Sequence, residues 1–242
     1  GAQYGLNMLW TMPFSWPLMS AIQSMCARIG RVTGKGLAAN IKAAFPPAVV
    51  RGVVLLLLVA NILNIAADIA AMGEVAELVT RVSRHLMTVV FVLVTVVLQV
   101  FIPYKRYVYY LKWLTFSLLA YAAVLFTVRV PWSEVALRSV WPQLKLDADS
   151  ATVVVGVFGT TISPYLFFWQ ASEEVEEIHS DSAVEQLTAA PEQARGQLRR
   201  MGFDTVVGMT FSRVAAFFII LTTASTLHVH GITDVRTAAQ AA

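Results

Sequence analysis

Gly159-Thr160-Thr161-Ile162-Ser163-Pro164-Tyr165 lies in the middle of an apolar run, residues 152–170, and its proline decides how that run is read. Pro164 has no N–H to give to the carbonyl of Thr160, and its ring pushes against the same turn. Ser163, ahead of the proline, is biased away from helical angles. Gly159 adds backbone freedom, and Thr160, Thr161 and Ser163 each bring a hydroxyl. The Thr160 carbonyl is therefore predicted to lose its usual partner at a depth where lipid supplies none. An unwound, oxygen-rich patch is tolerated inside a bilayer only where it lines a cavity, and broken helices of this kind form substrate sites in secondary transporters. The alternative is a simple proline kink whose hydroxyls bond back to their own helix.

Composition places the run in a membrane. Of 242 residues, 57% are hydrophobic and 14% charged, with a mean hydropathy of +0.65. A soluble domain carries about 25% charged residues, so a water-facing surface is excluded. Apolar runs long enough to cross a bilayer, which takes roughly 20 helical residues, occur at 6–27, 52–78, 86–103, 107–130, 152–170 and 203–227. None shows the alternation of a barrel strand, so the fold class is all-α, a polytopic membrane protein with six crossings. The chain reads as a single transmembrane domain over 1–242, internal to a longer protein, since Gly1 is not a start methionine and the sequence stops in an Ala-rich stretch.

Charge sets the expected orientation. The first connector, 28–51, holds Arg28, Arg31, Lys35, Lys42 and Arg51 with no acidic residue; the third, 104–106, holds Lys105 and Arg106; the fifth, 172–200, holds Arg195, Arg199 and Arg200. The second and fourth carry only Arg81, Arg84, Arg138 and Lys145. The positive-inside rule then makes 28–51, 104–106 and 172–200 cytoplasmic, the last a polar loop with some amphipathic helix. Trp10, Trp16, Tyr104, Tyr107, Tyr109, Tyr110, Trp113, Trp132 and Trp141 fall near span ends and read as interfacial anchors. The basic residues flank spans rather than forming a stripe, so nucleic acid is not an expected partner.

Asp68 is the other marked polar residue, set deep in 52–78. A carboxylate at bilayer depth costs about 2.5–3.5 kcal/mol and normally faces protein or a water-filled path. Asn61, Asn64 and Asp68 share one helix face; the asparagines read as interhelical hydrogen-bonders and Asp68 as part of a pathway. Glu173, Glu174, Glu176 and Glu177 read as a solvated acidic stretch that could gather cations at a cytoplasmic mouth. Arg213, within 203–227, must snorkel or find a partner inside the bundle. His228 and His230 are two apart and point away from each other on a helix. Cys26 is the only cysteine, which excludes an intrachain disulfide or a thiol cluster. There is no P-loop, nucleophile elbow, His-Glu-x-x-His or nucleotide fingerprint, so the chain carries no sign of an enzyme or of a bound cofactor.

Together these residues resemble the Nramp family of divalent metal transporters. Gly159-Thr160-Thr161-Ile162-Ser163-Pro164-Tyr165-Leu166-Phe167-Phe168-Trp169-Gln170 is similar to the family's broken sixth helix, where a Met-Pro-His triplet follows a Gly-Ala-Thr-like start. Residues 2–34, with the exit Arg28-Ile29-Gly30-Arg31-Val32-Thr33-Gly34, resemble the end of helix 1 followed by helix 2. Ala67-Asp68 resembles helix 3, and Leu111-Lys112-Trp113-Leu114 the start of helix 5.

The resemblance implies a LeuT-like inverted-repeat architecture running from the end of helix 1 to the start of helix 8, with the ion held between broken helices 1 and 6. It maps the carbonyl ligand to Thr160 and the methionine ligand to Ser163. The proton-linked histidines map to Tyr165 and Gln170, and the helix 3 acid pair is reduced to Asp68, with Ala71 at the second position. Thr161 and Pro164 complete the pathway. A hydroxyl in place of a thioether suits hard, oxygen-preferring ions, and neither Tyr165 nor Gln170 titrates near neutral pH. These departures resemble the Nramp-related magnesium transporter branch. The expected function is alternating-access transport of Mg2+ or Mn2+ as substrate at the cell membrane, with weak or no proton coupling. The alternatives are a proton-coupled Mn2+ or Fe2+ importer, an organic-substrate permease, and a membrane receptor or scaffold.

Overall fold

The computed structural model describes residues 1–102, 113–128, 130–143, 147–180, 185–233 and 235. Among these every regular element is helical. Tyr104, Lys105, Arg106, Tyr107, Tyr109, Tyr110, Leu111, Lys112 and Lys145 lie outside the described residues, so the 104–106 connector and part of the expected 107–130 crossing do too. Two compact units emerge, one formed by residues 11–61 and 145–214, the other by residues 1–10, 62–144 and 215–242.

In the first unit, helix α1 (Thr11–Thr33) is built for close packing. Its buried residues include Met12, Ser15, Met19, Gln23, Cys26, Ala27, Gly30 and Arg31, most of them three or four positions from the next, a stripe of mostly small or polar side chains along one face. A short helix α2 (Leu37–Ala44) follows, and then α3 (Pro47–Thr80), whose first part belongs to this unit. The apolar run around the sequence break divides into α7 (Ala148–Thr161) and α8 (Pro164–Ser180), and α8 lies along α1. Contact is closest at Gly30, where an added Cβ would strike the Ala171 carbonyl and come within 3.0 Å of its Cα. Gly34, at φ +63°, ends α1 in a left-handed conformation that favours glycine, with its amide bonded to the Gly30 carbonyl at 2.9 Å. The amides of Leu187 and Thr188 then cover the last carbonyls of α1, those of Arg31 and Val32, at 3.2 and 3.3 Å.

The second unit has its own core of Leu9, Leu125, Val135 and Leu221, with Phe217 and Phe218 packed against it. It contains α4 (Arg84–Phe101), α5 (Leu119–Val124), α6 (Trp132–Val140) and the end of α9 (Ala194–Thr223), which continues into a π-helical turn, Ala224–His228. Thr222 donates to the Tyr121 carbonyl at 3.0 Å, and the Gln143 amide to Asn7 Oδ1 at 3.0 Å. Here α3 meets α4 at Gly73, the only buried residue of α3, where a Cβ would collide with Thr88.

Among the described residues, four stretches are long and apolar enough to cross a membrane: Pro47–Thr80, Arg84–Phe101, Ala148–Ser180 and Pro191–His228. They correspond to four of the six expected crossings. The expected crossing at 6–27 is instead a 3-10 turn, Gly5–Met8, followed by α1. The helix begins later than the apolar run and is less apolar because its inner face uses Ser, Gln and Arg against α8. Of 107–130, the described part is the short apolar stretch Trp113–Val124. The polar connector 172–200 is helical to Ser180 and again from Ala194.

Candidate functional site

The helix opens at Ile162 and Ser163, between the end of α7 and Pro164 at the start of α8. Ile162 has left helical geometry, at φ −99° and ψ 67°. The Ile162 amide still reaches the Phe158 carbonyl at 2.7 Å, and regular bonding resumes with the Leu166 amide on the Ser163 carbonyl at 3.1 Å. Between these points the orphaned carbonyls take substitute donors. Ser163 Oγ donates to the Thr160 carbonyl at 2.7 Å, and Arg213 Nη2, from α9, donates to the Thr161 carbonyl at 3.0 Å. The freed Thr160 oxygen expected from the proline is therefore present, and the neighbouring serine caps it.

The hydroxyls divide in role. Those of Thr160 and Thr161 turn back into α7, Thr160 toward the Gly156 and Val157 carbonyls at 3.0 and 3.2 Å and Thr161 toward Val157. Ser163, 4% exposed, is the one hydroxyl that bridges the gap. Gly156, Gly159 and Thr160 lie on an uncovered face of α7, and a Cβ on either glycine would meet nothing within 4 Å. Tyr165 and Pro164 are exposed beside the break.

Gln170 is held by its own helix and by α1. Gln23 Nε2 donates to Gln170 Oε1 at 3.0 Å, and Gln170 Nε2 donates to Glu174 Oε1 at 3.2 Å. Glu174 in turn accepts from Arg31 Nε at 2.7 Å, in an ion pair whose side chains are 2% and 8% exposed. Glu177 bridges Arg31 and Arg200. A polar ladder thus descends from the second turn of α8 and ties it to α1 and α9. It borders a cavity of about 210 Å³ that Glu173, Asp204 and Thr205 also line.

One expectation changes. Glu174 and Glu177 are not a freely solvated acidic stretch: both are paired with arginines, because the helix continues past Gln170 and turns them toward α1 and α9. Asp68 lies on an exposed part of α3 in the second unit, while Asn61 and Asn64 on the same helix are half-buried. His228 and His230 bond separately, to the Ala2 and Thr226 carbonyls, as their spacing predicts. Among the described residues no group of three or more His, Cys, Asp or Glu is placed to hold a metal.

Sequence reasoning missed Gln23 and Arg31 as members of this network. Their one signal is that both are polar positions on the small-residue stripe of α1, where burial requires a partner.

Comparison with known proteins agrees in kind. The family profile described as "Natural resistance-associated macrophage protein-like", Nramp, matches residues 1–242. The chain is 28% identical over 174 residues to the divalent metal cation transporter MntH of Acidiphilium cryptum, covering 69% of this chain and 39% of that protein. It is 27% identical to MntH of Verminephrobacter eiseniae, covering 97% and 52%, and 26% identical to MntH of Klebsiella pneumoniae, covering 97% and 54%. The chain spans about half the length of the curated relatives it matches. With its apolar helices and its broken α7–α8 run, it belongs to the Nramp family, an all-helical membrane family of LeuT-type architecture.

Proposed function

We propose that the full-length protein moves a divalent cation, Mg2+ or Mn2+, across the cell membrane by alternating access about the α7–α8 break, with weak or no proton coupling. The observation that carries this reading is the pair of oxygens at the break, Ser163 Oγ and the Thr160 carbonyl, 2.7 Å apart. Two ligands at 2.0–2.1 Å and a right angle around an octahedral ion are roughly 2.9 Å apart. Rotation of the Ser163 hydroxyl away from Thr160 would turn this hydrogen-bonded pair into one edge of a coordination shell. The exposed glycine face beside Thr160 supports the reading, because it leaves room for a second element to bring the remaining oxygens. The named activity of the MntH relatives supports divalent metal transport in general.

The preference for a hard ion rests on chemistry. A serine oxygen and a main-chain carbonyl are hard donors. Low coupling rests on Tyr165 and Gln170, which stand where the family resemblance places proton-linked histidines. Thr161, Pro164, Tyr165 and Gln170 shape the path, and Asp68 adds negative charge along it. The connectors 28–51 and 172–200 are assigned to the cytoplasmic side on their arginines and lysines.

The test is uptake by the full-length protein in proteoliposomes carrying a metal indicator and a pH indicator. Mg2+ or Mn2+ should enter without matching lumenal acidification; a stoichiometric proton flux would favour a coupled importer instead. Ser163→Met should shift competition toward Cd2+ and Fe2+, and an unchanged profile would remove Ser163 from the selectivity account.

A further inference from the structure

We propose that Arg213 is a tethered cation that competes with the transported ion for the carbonyl end of α7, and so keeps the affinity for divalent cations low. The inference rests on the transport reading above. Arg213 is only 6% exposed, and its guanidinium remains charged under all ordinary conditions. Its Nη2 reaches the Thr161 carbonyl at 3.0 Å, its Nε is buried with no hydrogen-bond partner, and no carboxylate pairs with it among the described residues. A buried cation normally has an acid beside it, because desolvation is costly otherwise. Here the compensating charge is the C-terminus of α7, where unsatisfied carbonyls carry roughly half a negative elementary charge.

A transported cation would be drawn to the same feature. The C-terminal ends of half-helices coordinate cations in broken-helix transporters, and Thr160 and Thr161 are successive carbonyls of that end. A dication on Thr160 and a guanidinium on Thr161 would stand within a few ångströms of each other in a medium that screens poorly. They cannot both stay. The ion enters as the arginine swings off, and the arginine returns as the ion leaves. The unpartnered Nε makes that departure easier, because the present seat satisfies only part of the guanidinium's five donors. Arg213 is thus a positioning residue that holds the empty break in shape and sets the affinity of the filled one.

Mg2+ and Mn2+ binding to the full-length protein in nanodiscs, measured by calorimetry beside proteoliposome uptake, tests this. Arg213→Gln keeps a hydrogen-bond donor but removes the charge, and should bind the ions about tenfold more tightly or better; Arg213→Lys keeps the charge and should bind near the wild-type level. A merely structural arginine would give weaker binding in both variants, and unchanged or weaker binding by Arg213→Gln overturns the proposal. Should Arg213→Gln not fold, phenylglyoxal labelling of Arg213 in the wild-type protein serves: Mg2+ should raise labelling severalfold, and unchanged or reduced labelling overturns the idea. Uptake by the wild type with no gain in Arg213→Gln removes only the role of Arg213. Absence of divalent binding and uptake in both proteins removes the transport reading, and this inference with it.

Discussion

Two prolines in the same unit meet opposite fates. Pro17 lies inside α1, which runs unbroken from Thr11 to Thr33, whereas Pro164 marks a gap between α7 and α8. Both lack the N–H that would bond one turn back, so the missing donor alone does not decide whether a helix opens. Around Pro164 the orphaned carbonyls find other donors, Ser163 Oγ and Arg213 Nη2, and the face of α7 beside them is uncovered. Pro17 is exposed, and the clamp on α1, backbone contact of Gly30 with Ala171 and Arg31 on Glu174, lies more than three turns beyond it. A proline in an apolar helix supplies an opportunity; substitute donors for the freed carbonyls turn it into an opening.

The clamp is the place to break this comparison hardest. Arg31→Gln leaves Glu174 as a buried, uncompensated carboxylate and should lower stability by about 3–5 kcal/mol, read as a large fall in the thermal midpoint of the detergent-solubilised protein. An unchanged midpoint would mean that α1 is held on α8 by something other than this pair. Next in size is Pro164→Ala, which removes a penalty against helix of about 3 kcal/mol. The closed form gains roughly a hundredfold in population, and uptake should fall by a similar factor while the protein remains folded. Transport at the wild-type rate would show that the break does not depend on its proline. The smallest effect is expected for Pro17→Ala, which restores one backbone hydrogen bond in a helix already continuous. It should gain about 0.5–1.5 kcal/mol, with uptake unchanged; a loss of transport would show that α1 is also a moving part.

The break was legible because its cause is local. A proline, the serine before it and a lipid environment suffice to predict an orphaned oxygen at Thr160, and the structure places the opening there. The substitute donor was only half legible: Arg213 had to find a partner or an exit, but that the partner is a carbonyl 52 residues earlier is a matter of packing. The Arg31–Glu174 pair, 143 residues apart, was not legible at all, since charge counts assign arginines to connectors and acids to loops without saying which will meet. The same reasoning misplaced the first crossing, because the apolar run 6–27 and the helix Thr11–Thr33 follow different rules, one counting hydrophobic residues and the other burying small and polar ones. The glutamates after Gln170 seemed solvated for a related reason: their helix was expected to end too soon.

The length of α3 has a consequence for the depth of Asp68. At 1.5 Å per residue its 34 residues extend about 51 Å, well beyond a hydrocarbon layer of about 30 Å, so a turn or more must project into headgroups or the rod must lean. Arg51 and Asp68 are separated by about 26 Å of helix axis, close to the width of that layer. Seating the arginine at one boundary brings the aspartate to the opposite one, with Glu74 and Glu77 farther out in the aqueous phase. The carboxylate that reads as buried in a list of apolar letters then stands at the rim, where water wets it.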